Sequence, residues 1–487
     1  MADDMNVRTR YAPSPTGDPH LGNIRTALFD WLMARRYGGQ FILRIEDTDQ
    51  ARYAEGGVEN LMAALRWLGL DWDEGPDIGG NVGPYVQSQR LAIYREHADI
   101  LLASGQAYEC YCSPERLDEV RKAQQARKEP PRYDRHCRDL TREQRAEAEA
   151  SGVPPVVRFK TPLTGETRTL DALRGEVVFQ NSTLDDFVML KSDGYPTYHL
   201  AAIVDDHLMG ITHVLRDESW LPSAPRHFLI YQAFGWEPPV LAHVSRVLGS
   251  DKAKLSKRHG AHSVLEYRDQ GYLPNALVNF LALLGWSLDD HTDIMSRQTL
   301  LENFSLERLI PNPAVFNAEK LVWMNGMYIR EMADEELADA VLPFLEHSLG
   351  RPADRGLLLR IAPLIKERIK LLGEIAEMAD FFFTDDIEYK VETLLGKKCA
   401  GNPAAAKDAL ERVIAAAESA ADWTHESLEA AIRPLAEALG VKAGDLFGLV
   451  RVAITGRTAA PPLFETMEVL GRERTLERLR MAVGRVA

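Results

Sequence analysis

Cysteine is scarce in this chain: four residues among 487. That usage excludes a disulfide-stapled secreted scaffold and fits a reducing compartment. Long hydrophobic runs are missing too, and none approaches the roughly twenty apolar residues a membrane helix needs. The start, Met1-Ala2-Asp3-Asp4, has neither a basic flank nor an apolar core. No secretory signal is read there, so a cytoplasmic location with no membrane partner is expected. Positive charge is in deficit, with 57 Lys and Arg against 72 Asp and Glu and a net charge of -15. That balance argues against an indiscriminate nucleic-acid binder, while leaving enough cations for a local basic track. Internal repeats and low-complexity stretches are absent as well.

What is present is a multi-domain chain with ample core, 45% hydrophobic and 26% charged. Residues 7–12 read as a strand, 24–37 as a helix stopped by Gly38-Gly39, 40–45 as a strand and 58–68 as a helix. Strand, helix, strand, helix opens a parallel α/β sheet, whose ligands bind beyond the carboxyl ends of the strands. Residues 75–83 read as a Gly-rich linker, 91–104 as a helix, and 156–179 as short strands of an insertion. Strands are expected again at 188–190, 198–204 and 211–215, then a helix at 222–234. From about 273 the pattern is helical almost to the end, including amphipathic stretches at 404–421 and 471–483.

Two motifs carry the chemistry. Ser14-Pro15-Thr16-Gly17-Asp18-Pro19-His20-Leu21-Gly22-Asn23 follows the first strand, and Lys254-Leu255-Ser256-Lys257-Arg258 comes much later. Glycines in a tight turn let backbone approach phosphate, and a His there adds donors. Lysines in a second loop meet charge that shifts during phosphoryl chemistry. Three cysteines, Cys110, Cys112 and Cys137, form a partial zinc site whose fourth ligand is Tyr133, His136 or Asp139. Cys399 stands alone and reads as a small core residue.

These two motifs resemble the nucleotide signatures of the class I aminoacyl-tRNA synthetases, and the surrounding words resemble their bacterial glutamyl branch. Those words are Arg-x-Ala-Pro-Ser-Pro-Thr-Gly, Arg-Ile-Glu-Asp-Thr-Asp, Tyr-Pro-Thr-Tyr-His and Leu-Arg-Asp-Glu-Ser-Trp. The resemblance implies ATP-dependent adenylation of L-glutamate and its transfer to the terminal ribose of tRNA(Glu), with Mg2+ accompanying ATP. It assigns His20, Lys254 and Lys257 to catalysis. Pro13, Thr16, Gly17, His20, Gly22, Asn23, Lys254, Ser256 and Lys257 would bind ATP. Arg10, Ser14, Glu46, Tyr198 and Arg216 would bind glutamate, with Trp220 a weaker candidate. An arginine fork suits the side-chain carboxylate, and Glu46 suits the ammonium. Ala202 stands where some relatives carry a polar pocket residue, so it is no specificity residue. The spacing of Tyr133 and Cys137 resembles a Cys/Cys/Tyr/Cys zinc site of relatives, which gives Cys110, Cys112, Tyr133 and Cys137 as ligands of a structural Zn2+. Other relatives use a His two residues beyond the last cysteine, where this chain has Asp139.

The implied fold is a Rossmann-like parallel-sheet catalytic domain with an inserted acceptor-binding domain, followed by an all-helical anticodon-binding region. The corresponding segments are 1–84 and 196–250 for the catalytic domain and 85–195 for the insertion. Residues 251–335 take the lysine loop and stem-contact helices, and 336–487 the anticodon-binding region. Arg368 approximately matches an Arg that reads the third anticodon base in glutamate-only relatives. A monomer is expected. Four alternatives stay open at this point. They are an enzyme that also glutamylates tRNA(Gln), a glutamine-charging enzyme, a truncated type acting on a modified base, and an RNA-binding protein derived from an inactive synthetase.

Overall fold

The computed structural model describes residues 6–17, 19–253, 255, 263–399 and 402–486. Two compact units divide the chain: Met1–Glu266 with Leu277–Ala318, and Tyr267–Ala276 with Glu319–Ala487.

In the first unit, β1 (Arg8–Tyr11) leads through a turn into α1 (Leu21–Arg36) and back to β2 (Gln40–Leu43). The two strands pair in parallel, with Arg10 opposite Ile42. Leu21, Ile24, Leu28, Phe29 and Leu32 of α1 are all buried, because strands cover one side and other helices the rest. Gly39 is needed where the chain returns to the sheet: a Cβ there would meet the Val7 carbonyl oxygen at 2.0 Å. After α2 (Gly57–Trp67), the expected linker at 75–83 is instead part of a tight loop. Gly75 and Gly79 exchange backbone hydrogen bonds of 3.0 and 2.9 Å, while Glu74 accepts from the Leu43 N–H at 2.9 Å. The stretch therefore flanks β2, held by these backbone bonds and by side chains such as Trp72, whose Nε1 donates to Asp77 at 2.9 Å.

Next come α3 (Leu91–Ala103), β3 (Ala107–Cys110), α4 (Pro114–Ala126), α5 (Arg142–Ala150) and β4 (Val156–Phe159). Helices α4 and α5 bury nothing and depend on their caps: Ser113 accepts from Arg116 N–H, and Thr141 and Gln144 form a capping box. The hairpin of β5 (Glu166–Asp171) and β6 (Gly175–Gln180) precedes β7 (Val188–Leu190). β3, β4 and β7 make one antiparallel sheet.

The expected strand at 198–204 is a helix, α6 (Tyr198–Leu208). Leu200 through Asp206 are all buried, so both faces are covered and the apolar run shows no helical stripe. β8 (His213–Asp217), α7 (Ala224–Phe234) and β9 (Val240–Val244) restore the parallel order, residue for residue from His213 opposite Val240. Thr212 N–H donates to Arg8 O at 2.9 Å, which sets β8 beside β1. On the far side of β9, β5 adds through one parallel bridge, Asp171 to Leu241. The hairpin from segment 85–195 thus extends the sheet of β8 and β9. β10 (Val247–Leu248), α8 (Val264–Gln270), α9 (Pro274–Leu283), α10 (Arg297–Asn303), β11 (Ala314–Val315) and α11 (Ala318–Glu331) follow in chain order.

From there the second unit is helical throughout its described residues: α12 (Asp334–Leu349), α13 (Arg355–Ile365), α14 (Ile375–Ala379), α15 (Val391–Cys399), α16 (Pro403–Glu418), α17 (His425–Ile432), α18 (Leu435–Ala438), α19 (Ala443–Thr455), α20 (Leu463–Leu470) and α21 (Arg472–Val486). Its core joins Leu337 and Val341 to Ile361, Leu410, Val413, Val450 and Leu479, each fully buried. The side chain of Cys399 lies outside the described residues.

Candidate active site

At the carboxyl ends of β1, β2 and β8 lies a cavity of about 570 Å³. Parallel strands leave their last side chains and the following loops at one edge, which is why residues far apart in sequence meet there. Arg10, Ser14, Glu46, Tyr198 and Arg216, the five expected glutamate residues, all line it, as do Pro13, Thr16 and Asn23 from the first motif and Trp220.

The two arginines differ in how their charge is balanced. Arg10 directs Nε to Asp206 Oδ1 at 3.0 Å. Asp206 also receives Arg44 Nη1 at 2.8 Å, and Arg44 Nη2 reaches Glu46 Oε1 at 3.0 Å. Burial pushes the Asp206 carboxyl up, but Arg10 and Arg44 outweigh it and hold the group below the usual carboxylate range. At Glu46 burial wins over Arg44 and Arg10, and the carboxyl is pushed up.

Arg216 has no such carboxylate among the described residues. Its Nε donates to His243 Nε2 at 2.9 Å, and its Nη1 donates to Tyr198 Oη at 3.2 Å and to His227 Nδ1 at 3.1 Å. All three acceptors are uncharged, since burial holds both histidines well toward the neutral form. The buried Nη2 has no hydrogen-bond partner at all. A buried cation without a counter-ion is costly, and an anion beside it would relieve that cost. Glu46, 7% exposed, offers the opposite sign in the same cavity.

Sequence reasoning missed several members of this site. Asp30, on α1, lines the cavity, its oxygens meet no side-chain donor, and burial pushes its carboxyl well above the ordinary range. Asp206, His227 and His243 arrange the arginines from behind. The available signal was the charge itself: Asp30 sits within the otherwise apolar run 27–34, and Asp205 and Asp206 directly follow the apolar run 200–204.

His20 caps α1, its carbonyl accepting from Asn23 and Ile24 N–H at 3.0 and 3.2 Å. Its imidazole lies over Gly22, where an added Cβ would stand 3.3 Å from the ring. His20, Gly17 and Gly22 are not among the residues walling the cavity. His20 also pairs with Ser263, and Pro19 O accepts from Val264 N–H at 3.2 Å. Residues 263 and 264, which follow the second motif in sequence, thus lie against the first. Lys254, Ser256 and Lys257 themselves lie outside the described residues.

Away from the cavity, the Sγ atoms of Cys110, Cys112 and Cys137 lie within 4.8 Å of one another. Tyr133 Oη is 3.3 Å from Cys110 Sγ and 3.6 Å from Cys112 Sγ, so it joins the sulfurs. His136 and Asp139 are exposed, and Asp139 is paired with Lys160 at 3.0 Å. In the second unit, Arg368 is exposed, and its charge adds to burial in pushing the Arg451 guanidinium down.

Residues 6–323 match the model of the family described as tRNA synthetases class I (E and Q), catalytic domain. The chain belongs to this family. Residues 336–483 match an anticodon binding domain. Among curated class I relatives, a glutamate–tRNA ligase of Dehalococcoides mccartyi is 54% identical over 486 residues, covering 99% of this chain and 98% of that protein. One of Roseiflexus castenholzii is 50% identical over 493 residues, covering 99% and 97%. The crystal structure of a glutamate tRNA ligase from Elizabethkingia meningosepticum, in complex with its amino acid, is similar with a TM-score of 0.89. It is 36% identical, and the match covers 99% of this chain and all of that one. The class I fold, a parallel-sheet core with a helical anticodon-binding region, is thus shared over the full length.

Proposed function

We propose that the cavity selects L-glutamate and that the chain is a glutamate–tRNA ligase acting on tRNA(Glu). One observation carries the choice of amino acid: Arg216 walls the cavity and, among the described residues, has no carboxylate to neutralise it. A glutamine amide would leave that charge unpaired, whereas a carboxylate satisfies it. Arg10 adds a second cation, Tyr198 holds Arg216, and Glu46 with Ser14 receives the ammonium end. The names of the relatives support the same reading over the glutamine-charging alternative.

The reaction needs alignment rather than a protein nucleophile. The substrate α-carboxylate attacks the ATP α-phosphate and pyrophosphate leaves. A hydroxyl of the terminal ribose then attacks the activated carbonyl and AMP leaves. Pro13, Thr16, Gly17, His20, Gly22 and Asn23 would lie along the nucleotide, with the α1 N-terminus toward phosphate. Lys254, Ser256 and Lys257 would close on the phosphates and stabilise charge as it moves. Mg2+ would ride on ATP, because the only cluster of three His, Cys, Asp or Glu ligands among the described residues is the cysteine one.

Cys110, Cys112, Cys137 and Tyr133 would hold Zn2+, a donor set that fits its preference for thiolates and four-fold coordination. The ion would tie β3 to the 133–137 loop and so stiffen the inserted acceptor-binding segment, 85–195. Segments 251–335 and 336–487 are assigned to the RNA stem and anticodon, with Arg368 beside Arg451 facing base or phosphate. Rejection of tRNA(Gln), a monomeric state and a cytoplasmic location complete the reading. Among the described residues no helix is long and apolar enough to cross a membrane.

ATP–pyrophosphate exchange tests the whole. Exchange should require glutamate and be strong only with tRNA present. Exchange supported by glutamine, or none with glutamate under either condition, rejects the assignment.

A further inference from the structure

We propose that Asp171, carried by the β5–β6 hairpin, is a positioning residue for glutamate: through His243 it fixes the orientation of the Arg216 guanidinium at the wall of the cavity. The inference rests on the reading of the cavity as the glutamate site.

A guanidinium only donates, so His243 Nε2, 2.9 Å from Arg216 Nε, must carry a lone pair. The His243 proton is therefore on Nδ1, which sits 2.6 Å from Asp171 Oδ2. Asp171 is itself tightly held. Its Oδ2 also accepts the His243 backbone N–H at 3.1 Å, and its Oδ1 accepts those of Leu173 and Arg174 at 3.0 and 3.1 Å. His243 is fully buried and Asp171 is 3% exposed, so water cannot substitute for either partner.

The other edge of the guanidinium obeys the same logic. His227 Nδ1 accepts from Arg216 Nη1, so its proton is on Nε2 and is donated to His199 Nδ1 at 3.1 Å. Nε and Nη1 are thus engaged by neutral acceptors, and Nη2 is left with both its N–H donors. Without Asp171 the His243 proton is free to move to Nε2. Two donors would then face each other 2.9 Å apart, and the guanidinium would have to turn.

The distance in sequence is what makes this a functional connection. Asp171 belongs to the inserted segment, and its hairpin reaches the catalytic sheet through the bridge to Leu241 and the Ala172 N–H to Leu241 O bond of 2.7 Å. The amino-acid site is completed by a residue from the part of the chain assigned to the RNA acceptor end.

Aminoacylation kinetics at saturating tRNA test the relay in the full chain. Wild-type charging with glutamate is measured first; its failure would remove the reading of the site, not the relay in particular. Asp171→Asn can donate as well as accept, and so releases the tautomer. It should raise the glutamate KM about tenfold or more, with the ATP KM within about twofold. His243→Gln keeps an acceptor toward Arg216 and should stay within about threefold of wild type, while His243→Leu should behave like Asp171→Asn. Nitrogen-15 NMR of histidine should show His243 protonated at Nδ1 in wild type and mixed in Asp171→Asn. An unchanged glutamate KM in Asp171→Asn, or glutamate and ATP KM rising together, overturns the proposal. So does equal behaviour of the two His243 variants, which decide the matter if Asp171→Asn does not fold.

Discussion

At the scale of residues, the guanidinium of Arg216 is held along one edge and has a buried, unpartnered Nη2 on the other. Arg216→Lys keeps a charge but loses the fork, so it cannot satisfy His243, Tyr198 and His227 and still reach a carboxylate. The glutamate KM should rise about ten- to hundredfold, with the ATP KM little changed, in steady-state charging assays. An equal rise in both would place Arg216 outside amino-acid binding. The histidines behind it impose a pH dependence. Burial, followed by the charges of Arg226 and Arg216, pulls His199 down to about 4 from an ordinary 6.5. Between those values the unfolded chain binds the proton that the folded chain refuses, so stability rises with pH across that window. On acidification from pH 6.5 to 4 the contribution lost is up to about 3 kcal/mol. His227 and His243, also pushed down by burial, act in the same direction. Thermal unfolding followed from pH 7.5 to 4.5 should show a falling Tm, less steep in His199→Asn. A Tm that rises on acidification would contradict the neutral assignment.

Elements brought these residues together, and how much of that was legible depended on the element. Arg10 and Glu46 were readable because Arg10 lies near the end of a short strand and Glu46 just follows one, both with clear turn signals, so their place at a sheet edge comes with the strand. Tyr198 was found through its neighbours, yet the element carrying it was misread. The run from Leu200 to Val204 is buried on both faces, and such a run shows no period by which to tell helix from strand. Asp171 and His243 were invisible for another reason. They lie 72 residues apart and meet only because β5 adds to β9 at a single bridge. The cysteine cluster was legible as a cluster, and the resemblance already singled out Tyr133; the structure puts its ring, 7% exposed, under Arg158 and its hydroxyl beside the sulfurs. Protein purified without chelator should carry about one zinc per chain, lost in Cys110→Ser or Cys137→Ser. Metal analysis giving no zinc in an active preparation would leave these thiols as packing residues. Ser263, which follows the lysine motif in sequence, pairs with His20 of the first motif. Lys257→Ala should depress charging far more than tRNA affinity, as expected of a group that acts in the transition state. Unchanged charging with lost RNA affinity would make it a phosphate contact instead.

For the whole molecule, an acidic chain of net charge -15 must still bind RNA. The helical second unit supplies cations, among them Arg368 and Arg451, whose charges act on each other. A rigid guanidinium can favour one anticodon base and obstruct another. Arg368→Gln should therefore relax the preference for tRNA(Glu) over tRNA(Gln) while leaving glutamate activation intact. Unchanged discrimination would free Arg368 of that role. The account as a whole stands on the amino acid chosen by the unneutralised Arg216. Its most direct test is charging of purified tRNA(Glu) by the wild-type chain with glutamate and with glutamine in parallel. The account predicts efficient transfer of glutamate and negligible transfer of glutamine; comparable or preferential transfer of glutamine would contradict it.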